Sequence, residues 1–131
     1  MLALDSNLFI YLLDGNEQFL KKSKKWLNVA KFSETCISTL VITEALSKVG
    51  KTDFKNALFF LESLCKESSV KVVPIDRSVA IKAAEIRGQA NVSTADALHL
   101  ASAICSGATR FITNDLKLVG KKFDQLRVEA L

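Results

Sequence analysis

The sequence has few of the residues that break or cross-link a chain. Its 131 residues include one proline, five glycines and three cysteines. With 49% hydrophobic and 24% charged residues, this composition indicates a globular protein and excludes the disordered and fibrous classes. The length is near that of one domain and allows a buried core without cross-links. No repeat, low-complexity tract or linker-like stretch is present, so we expect a single domain over residues 1–131.

Signals for export, membrane insertion and cross-linking are also missing. Cys36, Cys65 and Cys105 are odd in number and show no CxxC or Cys/His spacing, which predicts reduced, mostly buried thiols without disulfides or structural zinc. The N-terminus has no basic segment, and Asp5 and Asp14 enclose a short apolar run, which fits neither a signal peptide nor a membrane span. We therefore expect a soluble, cytoplasmic protein.

The charge is moderately positive. Eighteen Lys and Arg residues against fourteen Asp and Glu residues give a net charge of +4, and the sequence pI is about 9.0. This balance is compatible with a polyanionic partner. Many basic proteins bind no nucleic acid, so charge alone assigns no partner.

Short apolar runs alternate with longer helical patterns along the chain. Such alternation predicts an α/β fold with a mostly parallel sheet of about five strands. The predicted strands are LAL at 2–4, TCIS at 35–38, VKVVPI at 70–75, RFIT at 110–113 and LRVEAL at 126–131.

Two acidic residues follow predicted strands. Asp5 comes directly after the first strand, and Asp115 follows the fourth through Thr113 and Asn114. Ligands of open parallel sheets bind beyond the carboxyl ends of the strands, where the strand order reverses. If the first and fourth strands are neighbours, both acids face one crevice.

Two further acids lie on predicted helices near the same end of the sheet. Glu44 is early in the helix after the second strand, and Asp96 is in the first turn of an almost wholly apolar helix over 94–106. Four carboxylates within about 5 Å would repel by roughly up to a few kcal/mol per pair, so such a cluster requires a cation. Oxygen ligands select Mg²⁺ or Mn²⁺, and these ions suggest phosphate chemistry.

Each of these acids has a simpler interpretation as well. Ser93 to Asp96 matches a capping box, and Asp5 and Asp115 are suited to turns or helix N-caps. Taken singly, the local roles are at least as well supported as metal binding. Their joint placement favours the metal site.

The polar neighbours of the acids are also open to two interpretations. His99 lies one helical turn after Asp96 and is either a general base or substrate contact, or a histidine satisfied within the core. Thr113 and Asn114 either shape a turn only or also orient Asp115 or a metal-bound water.

The predicted helix over 53–66 has two apolar faces. Its core stripe consists of Phe54, Ala57, Leu58, Leu61, Leu64 and Cys65. Phe59 falls on the opposite side, and Phe60 lies at the edge of the stripe. A second apolar face needs a partner, which is either another part of the fold or another protein chain.

Four short motifs occur in order along the chain: D-S-N at 5–7, T-E at 43–44, D-A-L-H-L-A at 96–101 and T-N-D at 113–115. Together they resemble the PIN domain over essentially the whole chain, and most closely the VapC-type toxins of bacterial and archaeal toxin–antitoxin pairs. The resemblance implies a three-layer α/β/α sandwich with strand order 3-2-1-4-5. It also implies Mg²⁺- or Mn²⁺-dependent endoribonuclease activity, homodimerisation and neutralisation by a small antitoxin.

The resemblance also assigns roles to residues. The family's catalytic, metal-binding acids match Asp5, Glu44, Asp96 and Asp115, and its supporting polar positions match Asn7 and Thr113. No acidic position is missing, which implies an active enzyme.

The residues after Asp5 argue against two other classes of α/β protein. A receiver-type phosphoacceptor needs paired acids after the first strand, and a haloacid-dehalogenase-like phosphatase needs Asp two residues after its nucleophile; Ser6 and Asn7 argue against both. A PIN-like binding module and an RNA-processing nuclease that is not a toxin remain as alternatives.

Overall fold

The computed structural model of the protein describes residues 1–131, which form six strands and six helices. The strands are β1 (Leu2–Leu4), β2 (Thr35–Ser38), β3 (Val70–Val73), β4 (Arg110–Thr113), β5 (Lys122–Phe123) and β6 (Leu126–Ala130). The helices are α1 (Ser6–Asp14), α2 (Leu20–Phe32), α3 (Thr39–Ser47), α4 (Phe54–Cys65), α5 (Arg77–Gln89) and α6 (Thr94–Cys105). None of these helices is long and apolar enough to cross a membrane.

The six strands form one sheet of order β3-β2-β1-β4-β6-β5. All neighbours are parallel except β5 and β6. The predicted α/β class and mostly parallel sheet are confirmed, and the five predicted strands all form. The sixth strand, β5, was missed because two residues show no alternation. Its turn also places Asp124 at a φ of 51° without the Asn-Gly or Asp-Gly pair that signals a hairpin.

Helices cover both faces of the sheet, as the sandwich requires. On one face, α1 to α4 pack on a core that includes Phe9, Ile37 and Ile112. On the other face, α5 and α6 pack on a core that includes Leu100 and Phe111. Ile112 and Phe111 serve opposite cores because successive side chains of a strand point to opposite faces. The three-layer α/β/α architecture is confirmed.

The strand order reverses between β1 and β4. The chain builds outward from β1 through β2 to β3, then crosses over by α5 and α6 to add β4 on the other side of β1. The backbone N–H of Asp5 donates to the carbonyl of Ile112 at 3.0 Å, which extends this pairing to the end of β1. Asp5 and Asp115 therefore leave adjacent strands at a switch point.

Two local features bear on the sequence analysis, and the burial of the thiols needs correction. The apolar run after Asp5 forms helix α1, whose Leu8 and Phe9 are fully buried. The cysteines are unpaired as expected, but only Cys36 is buried, and Cys105 is exposed because it is the last residue of α6.

Helix α4 buries a narrower stripe than the sequence predicts. Ala57, Leu61 and Leu64 are buried, whereas Phe54 is 43% exposed because it is the first residue of the helix. Phe59 is 74% exposed, and Phe60 is half-buried against the core.

Candidate active site

Asp5 lies directly after β1 and is fixed by hydrogen bonds on both carboxylate oxygens. Oδ1 accepts from the backbone N–H of Ser6 at 2.7 Å, which makes Asp5 the N-cap of α1. Oδ2 accepts from the hydroxyl of Thr113 at 2.6 Å and from the amide of Asn7 at 3.4 Å. The side chain is buried. The N-cap role and the acidic-site role thus coexist in one residue.

Thr113 is the link between the two strand ends. Its fully buried hydroxyl donates to Asp5 and accepts from the backbone N–H of Asp115 at 3.0 Å. It also accepts from Nδ2 of Asn7 at 3.2 Å, so its one proton and two lone pairs are all used. Asn7 and Thr113 therefore hold Asp5 by hydrogen bonds.

Asp115 and Asn114 complete the turn after β4. Oδ1 of Asp115 accepts from the backbone N–H of Lys117 at 3.0 Å, which is the turn role that the sequence left open. The Asn114 side chain forms no hydrogen bond with Asp115; its amide donates to the hydroxyl of Tyr11 at 2.7 Å. Tyr11 on α1 was missed, because no pattern in the sequence relates it to the turn after β4.

Asp96 lies in the first turn of α6, where the hydroxyl of Ser93 caps the helix and accepts from the Asp96 N–H at 3.1 Å. Burial raises the pKa of Asp96, and the negative charges of Asp5 and Asp115 raise it further, against a hydrogen bond with Ser93 that lowers it. The charges of Asp5 and Asp115 therefore act on Asp96.

Glu44 and His99 form a pair beside Asp5. Glu44 is the sixth of nine residues of α3, and its Oε1 is hydrogen-bonded to Nε2 of His99. The same nitrogen lies 3.8 Å from Oδ1 of Asp5. His99 is buried, and its Nδ1 has no hydrogen-bond partner. The histidine thus connects the Glu44 carboxylate to the Asp5 carboxylate.

The pair shifts both ionisations. The hydrogen bond from His99 lowers the pKa of Glu44, against burial, which raises it. Burial lowers the pKa of His99, but the hydrogen bond with Glu44 and the charges of Asp5, Glu44 and Asp96 together raise it above its ordinary value. The surroundings therefore favour a charged histidine next to a charged glutamate.

A cavity of about 380 Å³ opens beside Asp96 and Asp115. Three basic side chains also line it: Arg87, Lys117 and Lys121. Nε of Arg87 donates to the carbonyl of Val92 at 3.2 Å, which braces the loop before α6. Sequence reasoning missed these cations, although two of them follow Asp115 closely. Acids with neighbouring cations suit a phosphodiester, whose charge the cations can bind.

The donor chemistry fits a hydrated hard cation. No three His, Cys, Asp or Glu side chains come close enough together to enclose an ion. Mg²⁺ keeps several waters and is commonly bound by only one or two carboxylates, which the acids here provide. The buried Oδ1 of Asn7, beside Asp5, has no hydrogen-bond partner and is free to accept from a bound water. Direct ligation by all four acids stays a prediction.

The sequence profile of the PIN domain family matches residues 2–123. The chain belongs to the PIN domain family. Proteins of this family are nucleases, which are phosphodiester hydrolases. The resemblance drawn from the four short motifs is confirmed.

Solved structures share the fold of this PIN domain protein. VapBC2 from Rickettsia felis, bound to a promoter DNA fragment, has a TM-score of 0.69 at 20% identity and covers 98% of this chain and 97% of its own. DNA-bound VapBC from Salmonella typhimurium gives 0.71 at 21% identity over 98% and 96%. FitAcB from Neisseria gonorrhoeae gives 0.65 at 20% identity over 98% and 96%. No curated protein matches the sequence. At these identities the likeness establishes the fold.

Proposed function

We propose that this PIN domain protein is a divalent-metal-dependent endoribonuclease that hydrolyses RNA phosphodiester bonds. The observation that carries the proposal is that Thr113 joins Asp5 to Asp115, and that Asp115 and Asp96 share a cavity with three basic side chains. Family membership supplies the reaction class. The net charge of +4 supports a polyanionic substrate.

Asp5, Asp96 and Asp115, with Glu44 as the fourth acid, would hold hydrated Mg²⁺ or Mn²⁺ in part through its bound waters. When bound, such an ion activates water and neutralises charge on the scissile phosphate. The hydrogen-bond donors on Asp5 hold its carboxylate in a fixed direction. The Glu44 side chain is 33% exposed, so it remains accessible while paired with His99.

The neighbouring cations bind the substrate in this proposal. Lys117 and Lys121 lie on the same cavity as Asp96 and attract the phosphates that flank the cleaved bond. His99 acts on the chemistry through Asp5, because its Nε2 faces that carboxylate and its ring is buried. We therefore assign His99 as a positioning residue and not as a substrate contact.

We also propose that the protein is the toxin of a toxin–antitoxin pair, acts in the cytoplasm and forms a homodimer. The fold is shared with structures described as VapBC and as a toxin–antitoxin complex from Klebsiella pneumoniae. A small antitoxin would be the protein partner. Exposed Phe59, with the adjoining Phe60, provides an apolar surface for a second chain.

The activity is tested with single-stranded RNA labelled at either end and incubated with the purified chain in Mg²⁺, in Mn²⁺ and in EDTA. Internal cleavage is expected with either metal and not with EDTA. The matched control is Asp96→Asn, which removes one acid; Asp124→Asn removes an acid outside the site and should cut normally. Absence of cleavage by the folded wild type in both metals contradicts the proposal.

A readout independent of activity is metal binding. An ion that binds only the folded state raises stability by mass action, by about 2.7 kcal/mol at one hundred times its Kd. Millimolar Mn²⁺ should raise the melting temperature of the wild type and raise that of Asp96→Asn less. An unchanged wild-type melting temperature would contradict the metal site. Growth arrest on expression, relieved by the product of an adjacent short reading frame, separates a toxin from an RNA-processing nuclease.

A further inference from the structure

On one face of the sheet, the side chains near the β5 edge are exposed to solvent. Leu126, Val128 and Phe123 pack on the core beneath α5 and α6. The side chains that alternate with them point to the other face, where Arg127 and Lys122 are exposed. This region lies away from the acidic site, because the acids follow the carboxyl ends of β1 and β4.

Three basic side chains lie in one row on this exposed face. Arg110 on β4 is the register partner of Arg127 on β6, and Arg127 is the register partner of Lys122 on β5. Register partners of neighbouring strands point to the same face, about 4.8 Å apart. The row therefore runs across three strands. Like charges placed directly opposite one another destabilise a sheet.

Acidic side chains neutralise only one end of this row. Glu129 binds Arg110, with Oε2 at 2.5 Å from Nε, and the Arg110 guanidinium also lies 5.4 Å from the centre of the Trp26 ring. The acid of the β5–β6 turn, Asp124, is bound at 2.6 Å by Lys82 of α5, on the opposite side of the sheet. Neither Arg127 nor Lys122 forms an ion pair.

The row lines a concave surface that suits an anion. The concavity has a volume of about 400 Å³ and no hydrophobic lining residue. Thr109 and Gln125 add polar groups to the three cations. A linear array of cations with polar neighbours matches successive phosphates of a linear polyanion better than it matches one small ion.

We infer that the row of Arg110, Arg127 and Lys122, which we call the cation row, binds the phosphate backbone of single-stranded RNA outside the acidic site. The inference rests on the proposed function for its choice of RNA. Arg110 begins β4 and Thr113 ends it, so the row lies about 10 Å along the strand from the acidic end. A long RNA reaches both places, and a very short RNA reaches only the acidic site.

Binding is measured in EDTA with a labelled single-stranded RNA of about twenty nucleotides, over a range of salt concentrations. The test variant is the double substitution Lys122→Gln and Arg127→Gln. The matched control is Lys51→Gln with Lys55→Gln, which removes the same charge from exposed residues elsewhere. Each lost phosphate contact should reduce the slope of log K against log salt by about 0.7, so the test variant should lose about 1.4.

The test variant should also bind roughly tenfold more weakly at low salt, while the control keeps the wild-type slope. Equal slopes for the test variant and the wild type, or for the test variant and the control, overturn the inference. Polyglutamate is the second probe: a loss confined to polyglutamate means that the row binds an acidic protein and also overturns it.

Cleavage distinguishes this inference from the proposed function. With Mg²⁺, the test variant should show a raised KM and an unchanged kcat for the long RNA, and wild-type values for a tetranucleotide. Equal loss on both substrates contradicts a separate phosphate site. If the wild type cuts no RNA, the proposed function fails, while the salt slopes in EDTA still decide whether the cation row binds RNA.

Discussion

Thr113 donates its only hydroxyl proton to Asp5 across the boundary between β4 and β1, at 2.6 Å. This bond joins the two strands at the point where the order of the sheet reverses, and its acceptor is the most buried of the four acids. The same hydroxyl accepts from the Asp115 backbone, so one atom fixes the start of both acidic turns. The geometry of the site therefore depends on a neutral residue.

Replacing Thr113 with valine should destabilise the protein more than replacing it with serine. Valine keeps the shape but leaves the Asp115 N–H without its acceptor and removes one of the two acceptors of the Asn7 amide. Leaving such buried groups unsatisfied costs about 1–3 kcal/mol. Urea unfolding of both variants measures the difference. Equal stability of Thr113→Val and Thr113→Ser would show that the hydroxyl is not needed to hold the turns.

Asp96→Asn and Asp5→Asn should change stability in opposite directions without metal. The pKa of Asp96 is raised, so its charged form is disfavoured in the fold at neutral pH, and an uncharged amide removes that cost. Asp5→Asn would place an NH₂ group next to hydrogen-bond donors. That group would find no acceptor in Thr113, because both lone pairs of its hydroxyl already accept, from Asn7 and from the Asp115 N–H. Melting temperatures at pH 7 in EDTA should rise for Asp96→Asn and fall for Asp5→Asn.

The pH dependence of the melting temperatures tests the direction of the effect of Asp96→Asn on stability. A carboxyl with a raised pKa contributes stability below its ordinary value and loses it as pH rises through the folded value. The advantage of Asp96→Asn should therefore narrow as the pH falls toward the ordinary value of 3.8. An advantage that grows toward low pH would contradict the assigned cause.

The pair of Glu44 and His99 should make stability depend on pH in a defined window. The raised pKa of His99 gives a contribution that is complete below 6.5 and is lost as pH rises through the folded value. The lowered pKa of Glu44 gives one that is complete above 4.5 and is lost as pH falls through the folded value. The pair therefore contributes most between these two values, by roughly 1 kcal/mol or less because Glu44 is partly exposed.

Urea midpoints of the wild type and of Glu44→Gln, measured from pH 5 to pH 9, test this window. The wild type should lose more stability than the variant between pH 6 and pH 9. Parallel curves for the two proteins would show that Glu44 does not stabilise the charged histidine.

Phe59→Lys should weaken association with a second chain and leave folding almost unchanged. The side chain is 74% exposed, so the monomer loses little. Burying a phenylalanine at an interface contributes roughly 1.5–3 kcal/mol, which corresponds to a loss of about one to two orders of magnitude in affinity. Size measurements over a dilution series report self-association. Pull-down of the small protein encoded by an adjacent reading frame reports binding of an antitoxin.

Phe32→Lys is the matched control, because Phe32 is 83% exposed at the end of α2, on a different helix. It should leave association unchanged. If Phe59→Lys unfolds the monomer, or if both variants associate like the wild type, the α4 surface is not an interface.

Much of the fold followed from local patterns. The strands at 2–4, 35–38 and 110–113 form with the predicted ends, because a polar residue directly follows each of these short runs. The two-residue β5 could not be predicted, because it exists only through its pairing with β6. Helical spacing placed Phe54 in the core, but spacing does not show which end of a helix extends beyond the elements that pack against it.

The places of the acidic residues in the fold were predictable from the sequence, whereas their contacts were not. Position after strands identified Asp5 and Asp115, and the topology places both at the switch point. No pattern in the sequence indicated that Glu44 would be bound to His99, since that contact joins α3 and α6 across 55 positions. Tyr11 was missed for the same reason, because long-range contacts depend on how the helices pack.

The two edges of the sheet limit how copies of this protein can assemble. β5 has only two residues, and both it and the opposite edge strand β3 carry an exposed lysine, Lys122 and Lys71. Short edges with charged side chains disfavour the addition of a strand from another molecule. Growth of the sheet into a cross-β aggregate is therefore disfavoured even at high concentration. Copies of the protein would contact one another through their helices.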